Sequence, residues 1–292
     1  MGEPWKDHPA WSVVGRLSEA TGRDVAGLLL EVDAETLKAT RNAQLAAFAL
    51  SLVALQAART SGLAYTQVGA VAGHSLGEYT ALVAGGALDP DEGARLVAAR
   101  GEAMQLAADS QAGTMAAVLG LGLEDVSKAC ASVEGAWPAN DNAPGQVVIA
   151  GTPAGVEAAG EAARQLGAKR VMPLTVGGAF HSPLMAPAQL KLDEALAEAH
   201  FHPSEVDVVA NVDASVHRDR WFQLLSEQLM SPVRWRESLL ELQRIGATHF
   251  LELGPGTELS GMVKRTVEPS TRANVATPAD LDGLTEFLEG VR

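Results

Sequence analysis

The sequence predicts an α/β protein with a smaller α+β unit inserted into it, on three observations. Ser75 stands in the pattern G-x-S-x-G (GHSLG, residues 73–77) between an apolar run and a helix-like segment, which is the pattern of a sharp strand-to-helix turn. Two long stretches, residues 42–60 and 90–110, are rich in Ala and Leu and read as core helices. Beyond residue 113 the pattern changes to short apolar runs alternating with short helical ones. A chain of 292 residues has room for one large domain or two smaller ones. Its 47% hydrophobic residues supply a core, and its 20% charged residues form no single-sign block, which argues against extensive disorder.

Taken in order, the helix of residues 42–60 stops at Ser61-Gly62, and a strand then leads into Ser75. The segment LGEYTALVAGGAL has helical spacing and breaks at Gly85-Gly86. Asp89-Pro90-Asp91-Glu92 places an acid at a cap, Pro at the first helical position and Glu three residues after the cap, so a helix starts there and runs to about Ser110. Residues 112–178 then read strand (MAAVLG), helix (LEDVSKACASV), strand (QVVIAG), helix (PAGVEAAGEAARQLG) and strand (RVMPLTV). The chain returns to the main body with strands at 207–212, 248–253 and 273–276 and helices between and after them. The predicted division is a large domain of residues 1–111 and 179–292 and a small one of 112–178.

The formal net charge of −14 opposes sequence-independent binding to nucleic acid or an anionic membrane, since both need clustered positive charge. A single cysteine, Cys130, allows no intramolecular disulfide and no Cys-based zinc cage, and fits a reducing compartment. The first residues, MGEPWKDHPAW, are polar where a secretory signal needs an apolar core. The most apolar window, residues 45–58, falls short of the roughly 20 residues of a membrane span. It reads as a buried helix, and the protein as cytoplasmic.

A serine hydroxyl is a weak nucleophile until a base takes its proton. The alternative for Ser75 is a plain helix cap. Among seven histidines, His181 stands out, because GGAFHSPLM puts it just past an apolar strand, beside glycines and before a Pro. His74 adjoins Ser75 and on a strand would point to the other face, as a support for the turn. His200 and His202 (HFH) are candidate metal ligands only at a stretch, because no third ligand lies near in sequence. Arg100 shares a helix face with Leu96, Val97 and Met104, and an Arg on an apolar face is costly unless it meets an anion. Its plainer reading is an ion pair with Glu92 or Glu102.

GHSLGEY, RGEAMQ, NDNAPGQVVIAG, GAFHSPLM, SPVRW and ELGPGTELSGMVKR, in this order, resemble the malonyl-CoA:acyl carrier protein transacylases over nearly the whole chain. The resemblance implies a large hydrolase-like domain with a parallel sheet flanked by helices, and a small ferredoxin-like subdomain. It implies Ser75 as nucleophile, His181 as its base, and Arg100 as partner of the malonyl carboxylate. The His is expected to be oriented by a backbone carbonyl at Arg234, with no Asp completing a triad. The reaction implied is ping-pong transfer of malonyl from malonyl-CoA to the phosphopantetheine thiol of an acyl carrier protein, without cofactor or metal. The partners expected are those two substrates, with neither nucleic acid nor membrane, and the chain is expected to be a monomer.

The N–H of Leu76, at a helix start, is placed to bind the tetrahedral oxyanion. A second donor is expected in the family from a GQGSQ-like loop after a first strand, and MGEPWKDHPAW resembles the stretch just after that loop. Losing one such donor typically costs roughly 100- to 1000-fold in turnover. The expectation is therefore a segment lost upstream of Met1, with an open sheet edge in its place. Met104 and Phe180 are further candidates for the substrate side, Phe180 as a gate against a branched acyl group or as plain core packing. Asn142 and Gln146 are candidates to line the cleft from the small subdomain or to be turn formers. Arg234, Arg236, Lys264 and Arg265 are candidates to meet an acidic carrier protein, or ordinary solvated charges. An esterase of the α/β-hydrolase type is the competing enzyme class, but it wants an acid between Ser and His in chain order and a C-terminal His. A catalytically silent carrier-protein-binding domain is the third reading.

Overall fold

The computed structural model describes residues 1–291. Four helices precede the first strand: α1 (Ser12–Thr21), α2 (Val25–Leu30), α3 (Ala34–Lys38) and α4 (Thr40–Thr60). Apolar residues occupy all sides of α4, and it is accordingly buried, with α1, α2 and later helices packed around it. The helix runs beyond the 45–58 window to 21 residues, so by length and composition it could cross a membrane; here 67% of its most apolar window is buried inside the fold.

Strand β1 (Ala70–Ala72) feeds the turn at Ser75 and then α5 (Gly77–Ala84) and α6 (Pro90–Ser110). The start of α6 lies where the Asp-Pro signal puts it, and Asp89 Oδ1 accepts from the Asp91 N–H at 2.8 Å. Glu92 does not close the expected capping box. Its Oε1 instead accepts from the His200 N–H at 2.9 Å, tying α6 to a distant loop.

The next segment runs β2 (Thr114–Leu119), α7 (Leu123–Ala131), β3 (Ala136–Ala143), β4 (Gln146–Gly151), α8 (Pro153–Gln165) and β5 (Arg170–Pro173). The strands form one antiparallel sheet in the order β3-β4-β2-β5. Val118, Val147 and Ile149 from the sheet and Val126, Cys130 and Ala159 from the helices make its own core. Strand β3 is absent from the sequence reading because AWPANDNA lacks apolar alternation. Its polar side chains are buried against the larger body: Asp141 is 2% exposed and accepts from Arg236 Nε at 2.8 Å. Backbone bonds from the Asp141 N–H to Val233 O and from the Val233 N–H to Ala139 O close the same seam.

The chain returns through α9 (Ala186–Glu198), β6 (Asp207–Val209), the two-residue β7 (Val216–His217), α10 (Trp221–Gln228), α11 (Trp235–Arg244), β8 (His249–Leu253), α12 (Glu258–Thr266), β9 (Thr271–Val275) and α13 (Leu284–Glu289). β1 pairs in parallel with β6, which pairs antiparallel with β7; β8 pairs in parallel with β9. The parallel strands of the large body thus form two pieces, β1-β6-β7 and β8-β9. Between them lies a cavity of about 890 Å³ lined by β1 and β8 and by helices including α4, α5, α11 and α12.

The seam depends on a carboxylate buried beside a half-exposed guanidinium. Arg236→Ala is expected to cost about 2–3 kcal/mol in urea denaturation, below the 3–5 typical of a fully buried pair because Arg236 retains some water contact. The double variant Asp141→Leu/Arg236→Met is expected to recover most of it.

Candidate active site

Ser75 sits on the turn between β1 and α5 with a left-handed backbone, φ +51°. Such a conformation is strained for a residue with a Cβ, and the neighbourhood holds it in place. A Cβ on Gly73 would lie 1.9 Å from the Gly77 carbonyl, so only glycine lets the two arms of the turn pass. Asn211, two residues after β6, fastens both arms: its Oδ1 accepts from the Ser75 N–H at 2.6 Å and its Nδ2 donates to Gly73 O at 2.7 Å. The Leu76 N–H, at the head of α5, meets no acceptor among the described residues.

His181 is buried and also left-handed, φ +57°. Its Nε2 is 2.7 Å from Ser75 Oγ. Its Nδ1 lies 3.0 Å from Gln228 O and 3.2 Å from Ser231 O. Both are pure acceptors, so Nδ1 carries the proton and Nε2 is free to accept the serine hydroxyl's. The backbone acceptor expected at Arg234 is corrected here. That carbonyl accepts from the Ser238 N–H at 2.8 Å and Ser238 Oγ at 3.0 Å, in the first turn of α11. Burial, then the positive charge of Arg100, push the imidazole's pKa down to about 3, so it is neutral at physiological pH.

Arg100 projects from α6 into this site and is 1% exposed. Its Nη1 donates to Gln44 Oε1 at 2.6 Å, and its Nη2 to Gln228 Oε1 and Ser75 Oγ, both at 3.0 Å. The Tyr79 ring lies 5.6 Å from the guanidinium carbon, while Nε has no partner. The ion pair with Glu92 or Glu102 does not form: Glu102 pairs with Arg41, and no carboxylate lies within 4.0 Å of Arg100 among the described residues. A desolvated cation with neutral partners is a seat for an anion.

Gln228 joins the parts. Its Nε2 donates to Ser75 O at 2.9 Å and Glu78 Oε2 at 2.6 Å, its Oε1 holds Arg100, and its backbone oxygen holds His181. Glu78, 1% exposed on α5, also accepts from the Asn211 N–H at 3.4 Å, while its Oε1 is unpartnered. Burial raises its carboxyl pKa to about 7, against the opposing pull of Gln228, Asn211 and Arg100. Gln44, Glu78, Asn211, Gln228 and Ser231 are missing from the sequence reading. The signals available were the lone charge Glu78 inside the apolar segment LGEYTALV and, for Ser231, its place in SPVRW.

The remaining predicted residues are scattered. Met104 is buried with its Sδ 3.1 Å from Gln44 Nε2, so it supports a partner of Arg100. Phe180, next to His181, packs between the cores of the two bodies. Asn142 is occupied by His74, whose Nε2 lies 2.8 Å from Asn142 Oδ1 and whose ring stands edge-on to Trp235. Gln146 opens β4, half-buried, opposite Ala143 and Leu119. His200 is largely exposed and near Glu92, and no group of three metal-ligating side chains occurs among the described residues.

A hydroxyl bonded to a neutral imidazole, beside an open helix-head N–H and a buried guanidinium, has the parts for covalent acyl chemistry on an anionic acyl group. The fold and this site define the class of serine acyltransferases, and the acyl transferase domain family model matches residues 13–287. More narrowly, the chain belongs to the malonyl CoA-acyl carrier protein transacylase family. It is 42% identical over 271 residues to the transacylase of that name from Bacillus subtilis, covering 91% of this chain and 84% of that one. The solved acyl-carrier-protein S-malonyltransferase of Burkholderia pseudomallei superposes with a TM-score of 0.92 at 40% identity, covering 98% of this chain and 94% of that one. A malonyl-transacylase solved with its type II polyketide acyl carrier protein gives 0.92 at 36% identity, again covering 98% and 94%.

Glu78 gives the site a pH signature. Its folded pKa is raised above the ordinary 4.5, so its contribution to stability is full below about pH 4.5 and is lost as pH rises through about 7. The stability difference between wild type and Glu78→Gln is expected to change by up to about 3 kcal/mol across that window, in the direction of relative loss for wild type at high pH. Urea denaturation at a series of pH values measures it.

Proposed function

We infer that the chain transfers the malonyl group of malonyl-CoA to the phosphopantetheine thiol of an acyl carrier protein through a malonyl-Ser75 ester. The observation that carries this reading is the buried guanidinium of Arg100, 3.0 Å from the serine hydroxyl and without a counter-anion. A malonyl thioester places a carboxylate two bonds from the carbonyl under attack, so one acyl group can engage both residues.

In the first half-reaction the Ser75 Oγ–H proton passes to His181 Nε2 as Oγ bonds to the thioester carbon. The Leu76 N–H faces the oxyanion, at the head of an oriented helix. Collapse breaks the C–S bond, and the departing CoA sulfur takes the proton from His181. In the second half the phosphopantetheine thiol gives its proton to His181 and attacks the ester, and Ser75 leaves with that proton. The carbonyls of Gln228 and Ser231 stabilise the imidazolium in each half, the role a carboxylate plays in a triad.

The division into a large body of residues 1–111 and 179–292 and a small one of 112–178 is supported by the separate core of the antiparallel sheet. The order β3-β4-β2-β5 with two helices supports the ferredoxin-like reading of the small unit. Lys264 and Arg265 on α12 are exposed and suit an acidic carrier, whereas Arg234 and Arg236 are engaged with Glu237 and Asp141. A cytoplasmic monomer is the setting this reading assigns.

Incubation with malonyl-CoA and intact-mass analysis is expected to find one malonyl adduct, lost in Ser75→Ala; hydrolysis without an adduct would support the esterase class. Arg100→Ala is expected to lower malonyl transfer about 10²- to 10³-fold while sparing acetyl transfer, because only malonyl uses the cation. Equal losses for both acyl groups would overturn the assignment. The imidazole loses its function as base when protonated, and its pKa is low. The acid limb of Ser75 malonylation is therefore expected below about pH 5, not at the ordinary histidine value near 6.5.

A further inference from the structure

Both donors of the Gln228 amide are in use. They go to Ser75 O and Glu78 Oε2, and the amide oxygen accepts from Arg100 Nη2. Turned over, the amide would set its oxygen against two acceptors and its N–H groups against a guanidinium, so its partners leave it one orientation. The guanidinium is held in the same way on its other arm: Nη1 donates to Gln44 Oε1, and Gln44 Nε2 lies 3.1 Å from Met104 Sδ. An oxygen on each Nη fixes the plane of the cation and leaves the second Nη2 hydrogen to face Ser75 Oγ at 3.0 Å. On the Gln228 side that oxygen is only as well placed as the acceptors of its own amide. One of them is the backbone of the nucleophile. The other is Glu78, near the head of α5, and it is the shorter contact at 2.6 Å against 2.9 Å. Among the described residues the Glu78 carboxyl accepts only from Gln228 and from the Asn211 N–H.

We propose that Glu78 is a positioning residue for the anion seat: by accepting from the Gln228 amide it fixes the oxygen that this amide turns to Arg100, and the preference for an acyl group bearing a carboxylate depends on that contact. The proposal rests on the transfer reaction inferred above and deepens it. The carboxyl serves by its reach and not by its charge. Its Oε1 is buried and unpartnered, so a proton carried there leaves Oε2 to accept from Gln228 as before. A purely electrostatic role would run the other way, since an anion near Arg100 competes with the acyl carboxylate for the cation. The contact is also separate from the base. His181 is held by the backbone oxygen of Gln228, which a turn of the side-chain amide leaves in place. Acetyl transfer uses Ser75, His181 and the oxyanion donor but not the cation, so it reports on those parts alone.

The test is the ratio of malonyl to acetyl transfer from the two CoA thioesters to Ser75, measured on one preparation of each variant so that the folded fraction divides out. Glu78→Gln removes the charge and keeps an acceptor at the same reach, and its ratio is expected to stay within about threefold of wild type. Glu78→Asp keeps the charge but withdraws the oxygens by about 1.5 Å, out of hydrogen-bond range of Gln228. Its ratio is expected to fall about tenfold or more, with acetyl transfer nearly unchanged. Gln228→Met is expected to lower the ratio at least as far, and adding Glu78→Asp to it to lower the ratio no further, because the two residues act as one chain. A merely structural role would lower both transfers together and leave the ratio alone. That result in Glu78→Asp, an equal fall in the Gln and Asp variants, or additive falls in the double variant would overturn the proposal. A wild-type chain that forms no malonyl-Ser75 ester fails the transfer reading itself, and the proposal with it, so the wild-type arm tells the two failures apart.

Discussion

A cation without a counter-ion organises this molecule. Removing Arg100 from water is opposed by the full cost of desolvating a charge, and two glutamine oxygens, a serine oxygen and an aromatic face offset only part of it. The rest of the site is arranged to tolerate that charge: the imidazole beside it stays neutral, and the Glu78 carboxyl accepts from the Gln228 amide. Burial is the larger cause of the depressed histidine pKa and the Arg100 charge the second, so an anion paired with Arg100 would relieve only the second.

The geometry depends on residues from five separate parts of the chain, one of them the loop before α9 that carries His181. α4 brings Gln44, α6 brings Arg100, the turn after β1 brings Ser75, and the end of α10 brings Gln228. Strain is concentrated at Ser75 and His181, both left-handed, and each is held by more than one hydrogen bond to a partner remote in sequence.

How much of this is legible in the sequence depends on how local each signal is. Asp89-Pro90 is a cap and a helix start within two residues, so α6 is legible, and so is the Ser75 turn from its glycines. Ser75, His181 and Arg100 are each flagged by an unusual neighbourhood, and the structure brings the three together. Gln44 and Gln228 look like ordinary polar residues, because their partners lie 56 and 153 positions away. β3 is illegible for the same reason: Asn140, Asp141 and Asn142 read as a loop until His74 and Arg236 are beside them. The carbonyl orienting His181 is expected a few residues late, at Arg234, because nothing in SPVRW says which oxygens α11 consumes.

The pairing of His74 with Asn142 carries a mechanical consequence. The residue directly before the serine is anchored to a strand of the antiparallel sheet, so any rocking of that unit on the larger body pulls on the peptide that aims the hydroxyl. The position of the antiparallel sheet and the aim of the attacking oxygen are therefore coupled through one side-chain contact.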